Sequence, residues 1–169
     1  MNVEERSDHV SANWPEAVTP YLQSAALLQR LFSLLQDDIK VLLRQSGLTY
    51  AEFDALAALR SQPPGAALTP TELYGAMLIS SGGLTKVLKS LESQKLVARP
   101  TSEGDARKKP ILLTDKGREM LSVLMPKIAT RSEKLLQNGF ENAEDCQRFA
   151  ERLKGIVGVV EQEIAGGSN

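Results

Sequence analysis

Apolar residues keep helical time over most of this chain. From about Pro15 to Arg44, Leu27, Leu28, Leu31, Phe32, Leu34, Leu35, Ile39, Leu42 and Leu43 recur at helical spacing, some on more than one face. A long helix with more apolar surface than one contact can use predicts subunit packing. Gly47 ends it, and Thr49 with Glu52 three residues on forms a capping box that opens a second helix through about Arg60. The stretch SQPPGAALT then breaks the pattern, because paired prolines remove backbone donors.

LTPTELYGAML restarts it with three agreeing signals: Thr69 as N-cap, Pro70 at the first helical position and Glu72 completing another capping box. A tight connection around Leu78 to Ser80 leads to a helix in which Leu84, Val87, Leu88 and Leu91 share one face. Two short helices joined by so short a turn are a helix-turn-helix. Beyond Leu96 the chain reads as a strand to Thr101, a polar tip around Ser102 to Ala106, and a return strand from Lys109 to Leu113. Pro100 and Pro110 lack ladder donors, so this ribbon, a wing, must be short or lie at an edge.

Thr114 caps the next predicted helix, which runs through Leu121, Leu124, Ile128 and Leu136 with a kink expected at Pro126. Asn142, followed by Glu144 and Asp145, starts the last one, with Phe149, Leu153, Ile156, Val157, Val160 and Ile164 on one side. The predicted fold class is mainly α with a small β-wing, a winged helix-turn-helix flanked by N- and C-terminal dimerisation helices. Residues 1–14 are expected as a flexible tail, 15–45 and 115–165 as the helical dimerisation region, 46–114 as the winged helix-turn-helix, and 166–169 as a second tail.

Composition narrows the chemistry. Among 169 residues, 42% hydrophobic and 24% charged, no apolar run approaches the roughly 18 residues of a membrane span. The acidic, polar start lacks the pattern of a signal peptide, so a cytoplasmic location is expected. A single cysteine, Cys146, excludes an internal disulfide and a Cys-rich zinc site; the single His9 falls in the expected tail, and no metal or cofactor is expected. The net charge of −1 hides an asymmetry. Between Leu78 and Leu113 seven basic residues outnumber three acidic ones, a balance of +4 that leaves −5 on the rest of the chain. A basic patch on an acidic body predicts a local polyanion contact.

That patch could serve a nucleotide or a nucleic acid. Ser81-Gly82-Gly83-Leu84-Thr85-Lys86 invites the first reading, yet a phosphate-binding loop needs G-x-x-x-x-G-K-[ST] after a buried strand, and here both spacing and context fail. Catalysis fares no better: with the only histidine in the expected tail, no serine or cysteine has a base to activate it. The DNA reading has a mechanism at each step. If Leu84, Val87, Leu88 and Leu91 face the core, the opposite face presents Ser81, Gly82, Thr85, Lys86, Lys89 and Ser90, groups able to meet base edges and phosphates in a major groove. Glycines in the first turn let backbone N–H groups approach a phosphate closely. Arg99, Arg107, Lys108 and Lys109 add positive charge along the wing, and an arginine from its tip can enter the narrow minor groove. Asp105, two residues before Arg107, is read as a carboxylate that orients the guanidinium.

LTPTELYGAML, LVARP and above all DARKKPILLTDKG resemble the MarR family of bacterial transcription regulators. The family's wing signature, an Asp-x-Arg followed by a short strand ending in Leu-Thr and then a glycine, is matched by Asp105, Arg107, Leu113, Thr114 and Gly117. The resemblance implies a homodimer held by the N-terminal and last two helices, each winged helix on one half-site of a pseudo-palindromic operator. It also implies repression, relieved by a small aromatic or phenolic ligand, with Arg107 in the minor groove and Asp105 as its orienting partner. Two departures stand out. Lys95 occupies a position where the family commonly has glycine, and a lysine in a left-handed C-terminal cap costs on the order of 1 kcal/mol. Redox-sensing relatives carry their cysteine near the N-terminus, whereas Cys146 falls in the last helix.

The expected partners are therefore an operator duplex, a second copy of the chain and a small effector; no membrane and no enzymatic activity are expected. The effector site stays open, with Tyr21, Arg44, Tyr50 and Phe53 as candidates near the presumed junction. A dimeric helical interaction module, whose basic wing binds an acidic protein partner, is the rival reading.

Overall fold

The structure is a computed structural model, and it describes residues 3–77, 83–99 and 110–167. In chain order the helices are α1 (Val3–Asn13), α2 (Pro20–Gln45), α3 (Tyr50–Arg60), α4 (Pro70–Ala76), α5 (Leu84–Ser93), α6 (Asp115–Leu136) and α7 (Ala143–Gly166). Strands β1 (Val97–Ala98) and β2 (Leu112–Leu113) lie between α5 and α6, and short 3-10 turns occupy Pro15–Ala17 and Gln137–Gly139. The architecture is mainly α, a winged helix-turn-helix together with the long helices α2, α6 and α7. None of the described helices is long and apolar enough to cross a membrane.

The chain divides into two compact units, Met1–Leu121 and Ser122–Asn169, with the boundary inside α6. In the first, α3 is the hub, packing against α2, α4, α5 and β2. Leu56 of α3, Leu73 of α4, Leu91 of α5, Leu96 and Ile111 are fully buried and form its centre. The wing is antiparallel, with Val97 opposite Leu113 and Ala98 opposite Leu112. It gains a partner that the sequence reading lacks: Leu68 and Ile111 exchange backbone hydrogen bonds at 3.1 and 2.7 Å, so the segment before α4 flanks the return strand. The strands are shorter than predicted, and Pro110, with no N–H to donate, stands just outside the pairing.

In the second unit, helical structure continues to Leu136 and resumes at α7. Asn142 caps α7 as expected, its side chain accepting the Asp145 N–H at 3.0 Å. Phe140 and Phe149 meet at a 49° tilt with ring centroids 5.4 Å apart, pinning the entry of α7 to its second turn. No residue of α7 is buried.

The N-terminal half departs from expectation twice. The stretch read as a tail forms α1, with Glu4 and Glu5 in its first turn, where the helix dipole favours acidic groups, and it ends shortly before Pro15. The following long helix begins at Pro20, not Pro15. Thr19 accepts the Leu22 N–H at 3.2 Å, and a proline inside the helix would cost a hydrogen bond that it does not cost at the first position.

Candidate nucleic-acid interface

The second helix of the helix-turn-helix, α5, is built on its apolar face. Leu88 and Leu91 are 2% and 0% exposed, and Leu84 and Val87 are half-buried beside them. Thr85, Lys86 and Lys89 are exposed on the other side, as the periodicity requires. Gly83 stands as the N-cap, with open space where a Cβ would sit, and its carbonyl accepts the Lys86 and Val87 N–H groups at 2.8 and 3.0 Å. Ser81 and Gly82 lie outside the described residues, as do Asp105, Arg107, Lys108 and Lys109 of the wing.

Two predicted DNA contacts have internal partners. Ser90 is half-buried, and its Oγ accepts from Gln94 Nε2 at 3.3 Å. Arg99, just past β1, pairs through Nε with Glu92 Oε1 at 2.5 Å, a link that ties the wing strand to the end of α5. Its side chain is 22% exposed. The structure thus groups Thr85, Lys86 and Lys89 as an open polar row with two cations and holds Ser90 and Arg99 against the fold.

The base of the wing is fastened to the C-terminus of α5. Lys95 adopts φ 59°, the only positive φ at a non-glycine among the described residues, in line with the left-handed cap anticipated there. The Leu96 N–H reaches Leu91 O at 2.9 Å and the Lys95 N–H reaches Glu92 O at 3.0 Å, which is the Schellman pattern. Remaining carbonyls are met from outside: Lys116 Nζ donates to Gln94 O at 2.8 Å and Thr114 Oγ1 to Lys95 O at 2.8 Å. Thr114 Oγ1 also accepts the Gly117 N–H at 3.1 Å, so it caps α6 as predicted while closing α5. Gly117 is where the two turns touch, since a Cβ there would lie 2.3 Å from Leu96 O and 2.7 Å from Leu113 Cδ1. The glycine of the signature has a steric reason.

Glu52 is the polar residue that the sequence reading undervalued. Its carboxylate accepts the Thr49 N–H at 2.7 Å and the Thr49 hydroxyl at 2.8 Å, completing the predicted capping box, yet it is only 5% exposed. Burial works to raise its pKa, but the hydrogen bonds from Ser90 and from the Thr49 hydroxyl and backbone outweigh burial and hold it below the ordinary glutamate value. Of the effector candidates, Tyr50 and Phe53 are half-buried and meet edge to face at 6.3 Å, whereas Arg44 and Tyr21 are exposed. Burial first, then the Asp54 carboxylate, pushes the Tyr50 hydroxyl pKa up. Among the described residues no group of three or more His, Cys, Asp or Glu is placed to hold a metal.

Comparison with known proteins agrees with this geometry. A model of the MarR family matches residues 46–108. The transcriptional regulator PecS of Dickeya dadantii is 27% identical over 137 residues, 81% of this chain and 79% of PecS. The regulator SarZ of Staphylococcus epidermidis is 30% identical over 115 residues, 68% of this chain and 73% of SarZ. The transcriptional repressor Rv2887 of Mycobacterium tuberculosis is 36% identical over 94 residues, 56% of this chain and 66% of Rv2887. Its crystal structure in complex with DNA superposes with a TM-score of 0.62 and 25% identity, covering 78% of this chain and 95% of that one. With a matched helix-turn-helix and relatives aligned well beyond it, the chain belongs to the MarR family of DNA-binding transcriptional regulators.

Proposed function

We propose that this regulator represses transcription as a homodimer on a pseudo-palindromic operator, with α5 of each chain in a major groove and Arg107 of each wing in the neighbouring minor groove. A small aromatic ligand releases it. The observation that carries the DNA contact is the exposed row of Thr85, Lys86 and Lys89 opposite the buried Leu88 and Leu91. Hydroxyl and ammonium groups on a firmly backed helix can meet base edges and phosphates together. The DNA complex of Rv2887 supports the same use of the fold, and that relative's name supports repression. For the dimer, the support is the apolar rows that α2 and α7 expose, Leu27, Leu28 and Phe32 on one, Ile156, Val157 and Val160 on the other. The half-buried Tyr50–Phe53 pair supports the aromatic effector.

Anisotropy titration against the palindromic duplex upstream of the gene tests the core of this reading. Affinity is expected to fall steeply with salt through counterion release, and Arg107→Ala to weaken operator binding by about 1–3 kcal/mol with the dimer intact. Equal, weak binding to every duplex would overturn it. A thermal-shift screen with small aromatic acids tests the release, because a ligand of the native state raises apparent stability.

A further inference from the structure

The wing leaves the fold on very little backbone. Its ladder is Val97 opposite Leu113 and Ala98 opposite Leu112, and a ribbon that short does not set its own direction. Alternation along it is regular: Val97 is buried, Ala98 exposed and Arg99 half-buried again, so Arg99 returns to the inner side of the ribbon. There its Nε meets Glu92 Oε1 at 2.5 Å, with the two side chains 22% and 34% exposed. Glu92 stands in the last turn of α5, a turn with no basic residue of its own, where the helix dipole disfavours a carboxylate. The cation that offsets it comes from the far side of the Lys95 turn, seven residues on. Pro100 follows in sequence, and a proline restricts the residue before it to extended backbone.

We propose that the Glu92–Arg99 pair positions the wing, holding its exit at a fixed angle to α5 so that Arg107 meets the minor groove while Thr85, Lys86 and Lys89 meet the major groove. Arg99 and Glu92 are then positioning residues that act through the wing without touching DNA. A charge-assisted hydrogen bond between half-buried partners has a direction that apolar contacts lack, and it is screened less than an exposed pair. Direction matters because Arg107 lies eight residues beyond Arg99. An error of about 15° at the root of an arm moves a group about 12 Å along it by about 3 Å, the length of a hydrogen bond. Turning Arg99 to a phosphate instead would leave the Glu92 carboxylate unpaired beside the polyanion, where it repels.

The proposal rests on the reading of the wing as a minor-groove arm, and the experiment separates the two. The full-length protein is titrated by anisotropy against the duplex it selects from random-sequence DNA. It is compared with a silenced wing, Arg107→Ala/Lys108→Ala/Lys109→Ala, at a salt concentration low enough for the silenced protein to bind. A silenced wing that binds as tightly as the wild type would end the wing reading and this proposal with it. Where silencing weakens binding, Glu92→Gln, which keeps the shape of the side chain and removes its charge, is expected to weaken it at least fivefold with the wing intact and less than twofold with the wing silenced. Arg99→Gln is expected to match it in both backgrounds, and the double variant to lose no more than either alone. Electrostatics by itself gives Glu92→Gln the opposite sign, since losing a carboxylate beside DNA favours binding. Tighter binding would therefore overturn the proposal. So would a loss that persists undiminished in the silenced protein: for Glu92→Gln it means an effect on α5 itself, and for Arg99→Gln, with the salt slope lowered by about one, a direct phosphate contact. Should one variant fail to fold, the other decides alone by the same comparison of intact and silenced wings.

Discussion

The winged helix-turn-helix and the helices α2 and α7 are written in the same apolar periodicity, yet the first buries its stripes and the others leave theirs exposed. In α5, ten residues long, the periodic leucines Leu88 and Leu91 are covered by the chain itself. In α7, with 24 residues and an equally regular stripe, nothing is buried, and in α2 only Leu43 near its end is. Leu34 and Val160 stay about half exposed, at 48% and 49%. Periodicity states which face of a helix is apolar. It does not state what covers that face, and the exposed stripes are what the proposed dimer would bury.

The largest expected effects set the two regions against each other. Leu91→Ala opens a cavity in a closed core and is expected to cost about 3 kcal/mol, within the 2–5 kcal/mol usual for such truncations, seen as an earlier midpoint in urea. Val157→Asp places a charge on a residue that one chain leaves 52% exposed, so the helical signal should persist while the dimer separates in sedimentation at micromolar concentration. A Val157→Asp variant that sediments like the wild type would remove α7 from the subunit surface and undo the contrast.

A second pair uses glycines. Gly117→Ala forces a methyl against the backbone carbonyl of Leu96, where no rotamer can relieve it, and should cost about 2 kcal/mol by thermal denaturation. Gly155 of α7 has open space around its would-be Cβ, so Gly155→Ala should gain up to about 1 kcal/mol of helix propensity. Destabilisation at Gly155 instead would mean that a partner's backbone fills that space, which sharpens the reading of α7 as an interface.

What could be read in advance follows the range of the interaction involved. Caps at Thr49, Thr69, Thr114 and Asn142 were all legible, because a cap is settled within four residues of chain. The start of α2 was misjudged by five residues for a related reason: Pro15 and Pro20 both suit a first position, and only Thr19 distinguishes the second. The exposed polar row of α5, Thr85, Lys86 and Lys89, followed from periodicity. The Glu92–Arg99 pair did not, because it is decided by a side chain seven residues away. Glu52 looked like any capping-box glutamate, and only the packing of α5 on α3 separates it from Glu72.

The smallest predicted effect compares the ends of α2 and α5. Both close with the same Schellman bonds: Leu48 N–H to Leu43 O at 3.0 Å and Gly47 N–H to Arg44 O at 3.1 Å in the first, Leu96 to Leu91 at 2.9 Å and Lys95 to Glu92 at 3.0 Å in the second. The left-handed residue is Gly47, φ 71°, in one and Lys95, φ 59°, in the other. A side chain in that conformation costs about 1 kcal/mol or somewhat more, and glycine recovers it less the extra freedom it brings to the unfolded chain. Lys95→Gly is therefore expected to stabilise by about 0.5–1 kcal/mol, a rise in Tm of roughly 1–4 °C for a chain of this size. Against that gain stands the ammonium, which lies at the C-terminal end of α5, where the helix dipole favours positive charge. Lys116 already donates to the Gln94 carbonyl there, so the Lys95 charge adds little to the cap, and the backbone term should win. A fall in Tm would reverse that ranking, making Lys95 part of what holds the recognition helix closed rather than a strained substitute for glycine.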